Sequence, residues 1–209
     1  IFKENMNKVK LKIYSEVGHL PMYEDPIRTA RDIREILQDL KSKMNKSITL
    51  IGMAGAGKST IGKQLAKLLD FNFLDGDLII EERINQSIQN FLDQHGGKEF
   101  TKIEEEVLLS INFDKTILAT GGSAVLSDSA MQFLRKESEV IFLDVTYENI
   151  SKRILTLSER GLERGPKQSL QETYDERLSL YRKYADHVVV NDGDIDSCLK
   201  QLVALTKSF

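Results

Sequence analysis

Gly52-Met53-Ala54-Gly55-Ala56-Gly57-Lys58-Ser59 follows an apolar run, Ile48-Thr49-Leu50-Ile51, and opens a helix-period segment over residues 58–69. It satisfies G-x-x-x-x-G-K-[ST] in full. Glycines at 52, 55 and 57 let the backbone turn with its N–H groups inward, and the positive end of the following helix dipole adds to them. An anion belongs in such a turn. Lys58 would reach the β- and γ-phosphates of a nucleotide as a point charge, and the Ser59 hydroxyl would ligate the Mg²⁺ bound to them. The plain alternative, a glycine-rich turn that merely fits the pattern, is opposed by its place between an apolar strand and a well-patterned helix.

Working outward, short apolar runs at residues 48–52, 72–75, 116–120, 140–144 and 187–190 read as strands. Helix-period segments lie between and around them, at 58–69, 78–84, 87–94, 97–111, 130–135, 147–157, 170–184 and 195–207. Strand and helix in alternation predict a parallel sheet covered on both faces, with the ligand at the carboxyl ends of the strands. The 209 residues carry 29 Lys plus Arg against 32 Asp plus Glu, a net charge of −3, which does not indicate a strongly basic nucleic-acid surface but leaves room for a local basic cluster. One cysteine, Cys198, allows no internal disulfide and suits a reducing cytoplasm. No apolar run approaches the ~20 residues of a membrane helix.

The second strand ends in Phe73-Leu74-Asp75-Gly76-Asp77, which sets two carboxylates at the edge of the sheet that carries the phosphate loop. Transfer of a phosphoryl group to a small alcohol needs one carboxylate to take the hydroxyl proton and another to orient the Mg²⁺ shell. The alternative is that Asp77 only caps a helix beginning at Leu78, which leaves Asp75 unexplained.

The order of phosphate loop, Asp-x-Asp, Phe-x-x-x-Glu, Gly-Gly turn, Arg-bearing lid and Arg-x-x-x-Tyr resembles the shikimate kinase family from about residue 48 to the C-terminus. The resemblance implies an α/β P-loop kinase: a five-stranded parallel sheet flanked by helices, a helical substrate-binding segment and a mobile lid. It implies ATP and Mg²⁺, with γ-phosphoryl transfer to a hydroxyl of shikimate or a similar small carboxylated polyol. Residue by residue, Lys58, Asp77 and Arg160 match the catalytic positions. Gly55, Ala56, Gly57, Lys58, Ser59, Thr60, Arg153 and Arg160 match the nucleotide-binding ones, and Ser59 and Asp75 the metal ligands. Asp77, Thr101, Gly121, Gly122 and Arg177 fall at acceptor positions, and Glu104 matches the Glu of the Phe-Arg-x-x-Glu motif. No nucleic acid or membrane partner is implied, and a cytoplasmic monomer is expected.

Three departures bear on specificity. Phe100-Thr101-Lys102-Ile103-Glu104 has threonine where the family has the first of two arginines that hold the substrate carboxylate. Lys102 is one helical step away and turned through roughly 100°; Lys98, a turn earlier, lies on nearly the same face. Gly121-Gly122-Ser123 adds a side chain to a Gly-Gly-Gly turn, and Arg160-Gly161-Leu162 lacks the lid proline. Arg160 and Arg164 sit in a stretch that also reads as a plain polar surface loop, and Arg177 could equally pair with Asp175 or Glu176 on a solvated helix face. Two further readings stay open: a gluconate-type sugar-acid kinase, which Leu74-Asp75-Gly76-Asp77 also resembles, and a non-catalytic ligand sensor.

Residues 1–45 have a different character and form an expected N-terminal extension ahead of a kinase-like domain at 46–209. An alternating stretch at residues 9–14, then Gly18-His19 and a helix-period run at 27–40, resemble the strand-His-helix end of an α/β-hydrolase. His19 would be its general base, but no G-x-S-x-G is present to supply a nucleophile. The segment is expected to be the tail of a fused hydrolase-kinase chain or a small extension packed on the kinase.

Overall fold

The computed structural model describes residues 21–44, 46–158 and 169–206. The chain divides between Lys43 and Met44 into two units. The first holds helices α1 (Pro21–Glu24) and α2 (Pro26–Met44). Asp25 starts α2 by accepting a hydrogen bond from the Arg28 backbone N–H at 3.0 Å, and Pro26, which lacks an N–H, occupies the first helical position. The helix expected at 27–40 is thus longer at its C-terminal end. The strand expected at 9–14 and His19 lie outside the described residues.

In the second unit, β1 (Ser47–Ile51) is buried along its whole length, as is β3 (Thr116–Ala119). Strands covered on both faces are buried at every position, and the polar side chains among them, Ser47 and Thr49, are hydrogen-bonded to Thr116 and Ser138 of the neighbouring chain segments. The order of elements is β1, α3 (Lys58–Leu69), β2 (Asn72–Asp75), α4 (Gly76–Ile84), α5 (Ile88–Leu109), β3, α6 (Asp128–Glu137), β4 (Ser138–Asp144), α7 (Tyr147–Ser158), α8 (Leu170–Tyr184), β5 (His187–Val190) and α9 (Ile195–Thr206). The five strands pair in the order β2-β3-β1-β4-β5, all parallel, with Leu50 opposite both Ala119 and Ile141. Ile48, Leu50, Ile117, Leu118, Val140 and Ile141 are each at most 1% exposed. Side chains buried this fully contribute about 1.5–3 kcal/mol apiece.

A second, smaller apolar cluster of Ile80, Phe91, Phe100 and Val107 holds α4 and α5 together. Helix α5 is interrupted at Gly96, with φ 76° and ψ 169°, so the separate helices expected at 87–94 and 97–111 meet end to end at that break. On its C-terminal half Phe100, Glu104, Val107 and Leu108 are buried, a stripe at spacings of four, three and one that carries a carboxyl group into the interior. Among the described residues no helix is long and apolar enough to cross a membrane.

Candidate active site

The carboxyl ends of β1, β2 and β3 meet one another, and the loops leaving them build one site. After β1 the backbone passes through φ 146° at Gly52, 80° at Gly55 and 90° at Gly57, values that side chains disfavour. A Cβ on Gly52 would stand 2.9 Å from the Leu143 carbonyl. The turn is braced from β5's end, where buried Asn191 donates from Nδ2 to the Ala56 carbonyl at 2.8 Å. Arg153, on α7, donates to the Asn191 carbonyl at 2.7 Å and to the Gly55 carbonyl at 3.4 Å. The Lys58 ammonium folds back on the turn, donating to the carbonyls of Gly52 at 2.7 Å and Met53 at 2.9 Å. Burial lowers its pKa to about 8, against the opposing pull of Asp77, Asp75 and Glu104.

At the end of β2, Asp75 is the helix cap: its side chain accepts the Asp77 backbone N–H at 3.2 Å. This corrects the capping alternative, since α4 begins at Gly76 and Asp77 stands in its first turn with its carboxylate free of that duty. Burial raises the Asp77 pKa, with Lys58 opposing. Over Gly121, just past β3, two carboxyl oxygens converge: a Cβ there would lie 2.8 Å from Asp77 Oδ1 and 2.5 Å from Glu104 Oε1. Only glycine leaves room for both oxygens and anything bound between them. Ser123 donates from Oγ to Glu104 Oε2 at 2.6 Å, while Oε1 has no partner.

Arg177, on α8, completes the ring of charge. A Cβ on Gly122 would lie 3.4 Å from Arg177 Nη1 and 3.7 Å from the Tyr181 hydroxyl, and Arg177 Nε is buried without a partner. Tyr181 donates to the Gly122 carbonyl at 2.6 Å and stacks on Phe142 with centroids 5.1 Å apart, so it fixes the turn and α8 to β4. Burial pushes its phenol pKa well up. Lys58, Asp75, Asp77, Glu104 and Arg177 are therefore one electrostatic group.

Thr101 shares the Glu104 face of α5, three residues away, but its hydroxyl donates to the Gly97 carbonyl at 3.0 Å within its own helix. Lys98 is exposed. Ser59 and Thr60 lie in the first turn of α3. Arg160 and Arg164 lie outside the described residues. Sequence reasoning passed over Asn191 and left Glu104 out of the acceptor residues. Their signals were a polar residue ending the apolar Val188-Val189-Val190 run and an acid inside an apolar helix stripe.

Glu104 is 2% exposed and its pKa is pushed up to about 7 chiefly by burial, partly offset by the Ser123 hydrogen bond and then by Arg177 and Lys58, while Asp77 adds to it. A raised carboxyl pKa means the folded chain holds a proton that the unfolded chain releases. Its stability contribution therefore falls as pH rises from the ordinary carboxylate range through about 7. Glu104→Gln removes that loss, so the variant should gain on the order of 2 kcal/mol over the parent between pH 5 and pH 8. Thermal melts at both pH values check this; a constant difference between the two chains would refute it.

A phosphate turn on the first strand of a parallel sheet, facing paired carboxylates and an arginine, defines a P-loop small-molecule kinase. The family model described as shikimate kinase matches residues 54–206, and the chain belongs to the shikimate kinase family. It is 36% identical to a shikimate kinase of Clostridium botulinum over 160 residues, covering 76% of this chain and 96% of that one. It superposes with TM-score 0.70 and 30% identity on a shikimate kinase from Acinetobacter baumannii in complex with shikimate, covering 78% of this chain and 93% of that one. A gluconokinase from Sinorhizobium meliloti, 16% identical with TM-score 0.50 over 79% of this chain and 95% of that one, shares the fold alone.

Proposed function

We propose that the chain transfers the γ-phosphoryl group of ATP to a hydroxyl of shikimate or of a carboxylated polyol of the same shape. The observation that carries this reading is the convergence of Asp77 and Glu104 over Gly121, in electrostatic reach of Lys58 and next to a Gly122 that Arg177 approaches. The acceptor hydroxyl oxygen bonds to the γ-phosphorus, the bond from that phosphorus to the β,γ-bridging oxygen breaks, and ADP leaves. Asp77 takes the hydroxyl proton, and burial makes its carboxylate the more basic for it. Lys58 exchanges its carbonyl partners for phosphate oxygens, within a turn whose positive-φ glycines aim backbone N–H groups at the same anion. Arg177 holds the acceptor carboxylate, and its unpartnered Nε suits that task. Arg153 holds the nucleotide end of the turn, and Arg160 is assigned to the lid.

The donor set fits Mg²⁺: a hydroxyl at Ser59 and a carboxylate at Asp75, a small oxygen shell of the kind that phosphates and water complete. The ion would neutralise charge on the phosphates when bound. Residues 46–209 are proposed to carry this activity as a cytoplasmic monomer, the one cysteine, Cys198, being a buried free thiol.

The test is ADP release from ATP and Mg²⁺ with shikimate, quinate, gluconate or no acceptor. Saturable turnover with shikimate is expected, and turnover with gluconate alone would reassign the acceptor. Thr101→Arg, which restores a second carboxylate contact, should lower the KM for shikimate about ten- to a hundredfold, the equivalent of a charge-assisted hydrogen bond. An unchanged KM would remove Thr101 from the acceptor site. ATP consumption with no acceptor in the panel, alongside tight ligand binding, would favour the sensor reading.

A further inference from the structure

Ser123 occupies a place where serine ordinarily serves its own backbone. It precedes the 3-10 turn Ala124–Leu126 in the N-cap position, yet its side chain makes no capping bond there. The hydroxyl instead reaches across to α5 and donates to Glu104 Oε2 at 2.6 Å. With one oxygen held, the carboxyl group cannot rotate freely, and its other oxygen is aimed over Gly121 beside Asp77 Oδ1. That second oxygen is buried and unpartnered on a residue 2% exposed. Buried carboxyl oxygens rarely go without a hydrogen bond, and one poised next to the proposed proton acceptor has a ligand group as its natural partner.

We propose that Ser123 is a positioning residue for the acceptor site: it locks Glu104 so that Oε1 takes the hydroxyl next to the one being phosphorylated. On the proposed acceptor the reacting hydroxyl then lies on Asp77 and its neighbour on Glu104. This rests on the hydroxy-acid kinase reading above and deepens it. It also gives the altered turn a reason. Thr101 is bonded within its own helix, whereas Ser123 reaches across to Glu104 from the turn.

The experiment compares the parent chain with Ser123→Ala and Ser123→Thr, using shikimate and a shikimate analogue in which the hydroxyl neighbouring the phosphorylated one is replaced by hydrogen. In the parent, that replacement should raise the acceptor KM about tenfold. Ser123→Ala should raise the shikimate KM by a similar factor, leave the KM for ATP unchanged and respond little to the missing hydroxyl. Ser123→Thr should restore the parent pattern. An equal response of parent and Ser123→Ala to the missing hydroxyl would overturn the proposal. A second readout needs no acceptor: in carbon-13 spectra of labelled glutamate, the Glu104 carboxyl should titrate at higher pH in Ser123→Ala and return in Ser123→Thr. An unmoved Glu104 titration would overturn the role of Ser123 even if none of the acids is phosphorylated, whereas absent turnover with a moved titration would count against the acceptor reading alone.

Discussion

Lys58→Met is expected to lower kcat by on the order of 10³ while the fold persists. The ammonium is proposed to follow charge as it builds on the transferring phosphate oxygens, and removing one preorganised electrostatic group from a water-poor site commonly costs 10²–10³ in rate. Stability should change little. Lys58 is 8% exposed and its burial already disfavours the charge, so an apolar chain of similar length replaces a desolvated ammonium, and the lost bonds to Gly52 and Met53 offset that gain. The lowered pKa, about 8, adds a pH signature in the free chain: kcat/KM for ATP in the parent should fall as pH rises through that value, because the neutral amine no longer counters phosphate charge as the nucleotide binds. ADP release from pH 7 to 9 and a thermal melt check both parts. Full activity in Lys58→Met would sink the mechanism.

What the chain reveals before folding divides along physical lines. The phosphate turn is legible because its demands are local: glycines where φ is positive, then a lysine at a helix start. Strands β2 and β5 and helices α3 and α8 fall at the residues that periodicity and apolar runs mark. The capping role of Asp75 had no separate signal in the sequence. Both aspartates suit a helix start, and only the backbone geometry shows that Asp75 does the capping and leaves Asp77 free. Contacts between residues far apart in the chain had no local signature. The bond between Ser123 and Glu104 spans 19 positions and that between Asn191 and the Ala56 carbonyl spans 135, and neither leaves a spacing to count. Arg177 also fits a solvated helix face by sequence alone; what distinguishes it is the approach of its guanidinium to Gly122, where it joins the other charges of the site.

Asp77→Asn is expected to lower kcat by about 10²–10⁴, the usual worth of a positioned general base, with the KM for ATP unchanged. The substitution is nearly isosteric and keeps the backbone N–H that Asp75 accepts, so the cap of α4 and the local fold survive. What it removes is the capacity to receive a proton. In the parent, activity should rise with pH as the Asp77 carboxylate, whose pKa burial raises, ionises; in the variant that rising limb should vanish. The other titrating groups of the site, Glu104 and Lys58, remain in the variant and provide the internal comparison. The size of the loss discriminates between two pictures of the transfer. A loose transition state builds little charge on the attacking oxygen, so a base that acts only after the new bond to phosphorus has formed would contribute less than about tenfold. A loss that small would recast Asp77 as a group that orients the hydroxyl, and would leave Lys58 with most of the catalytic burden.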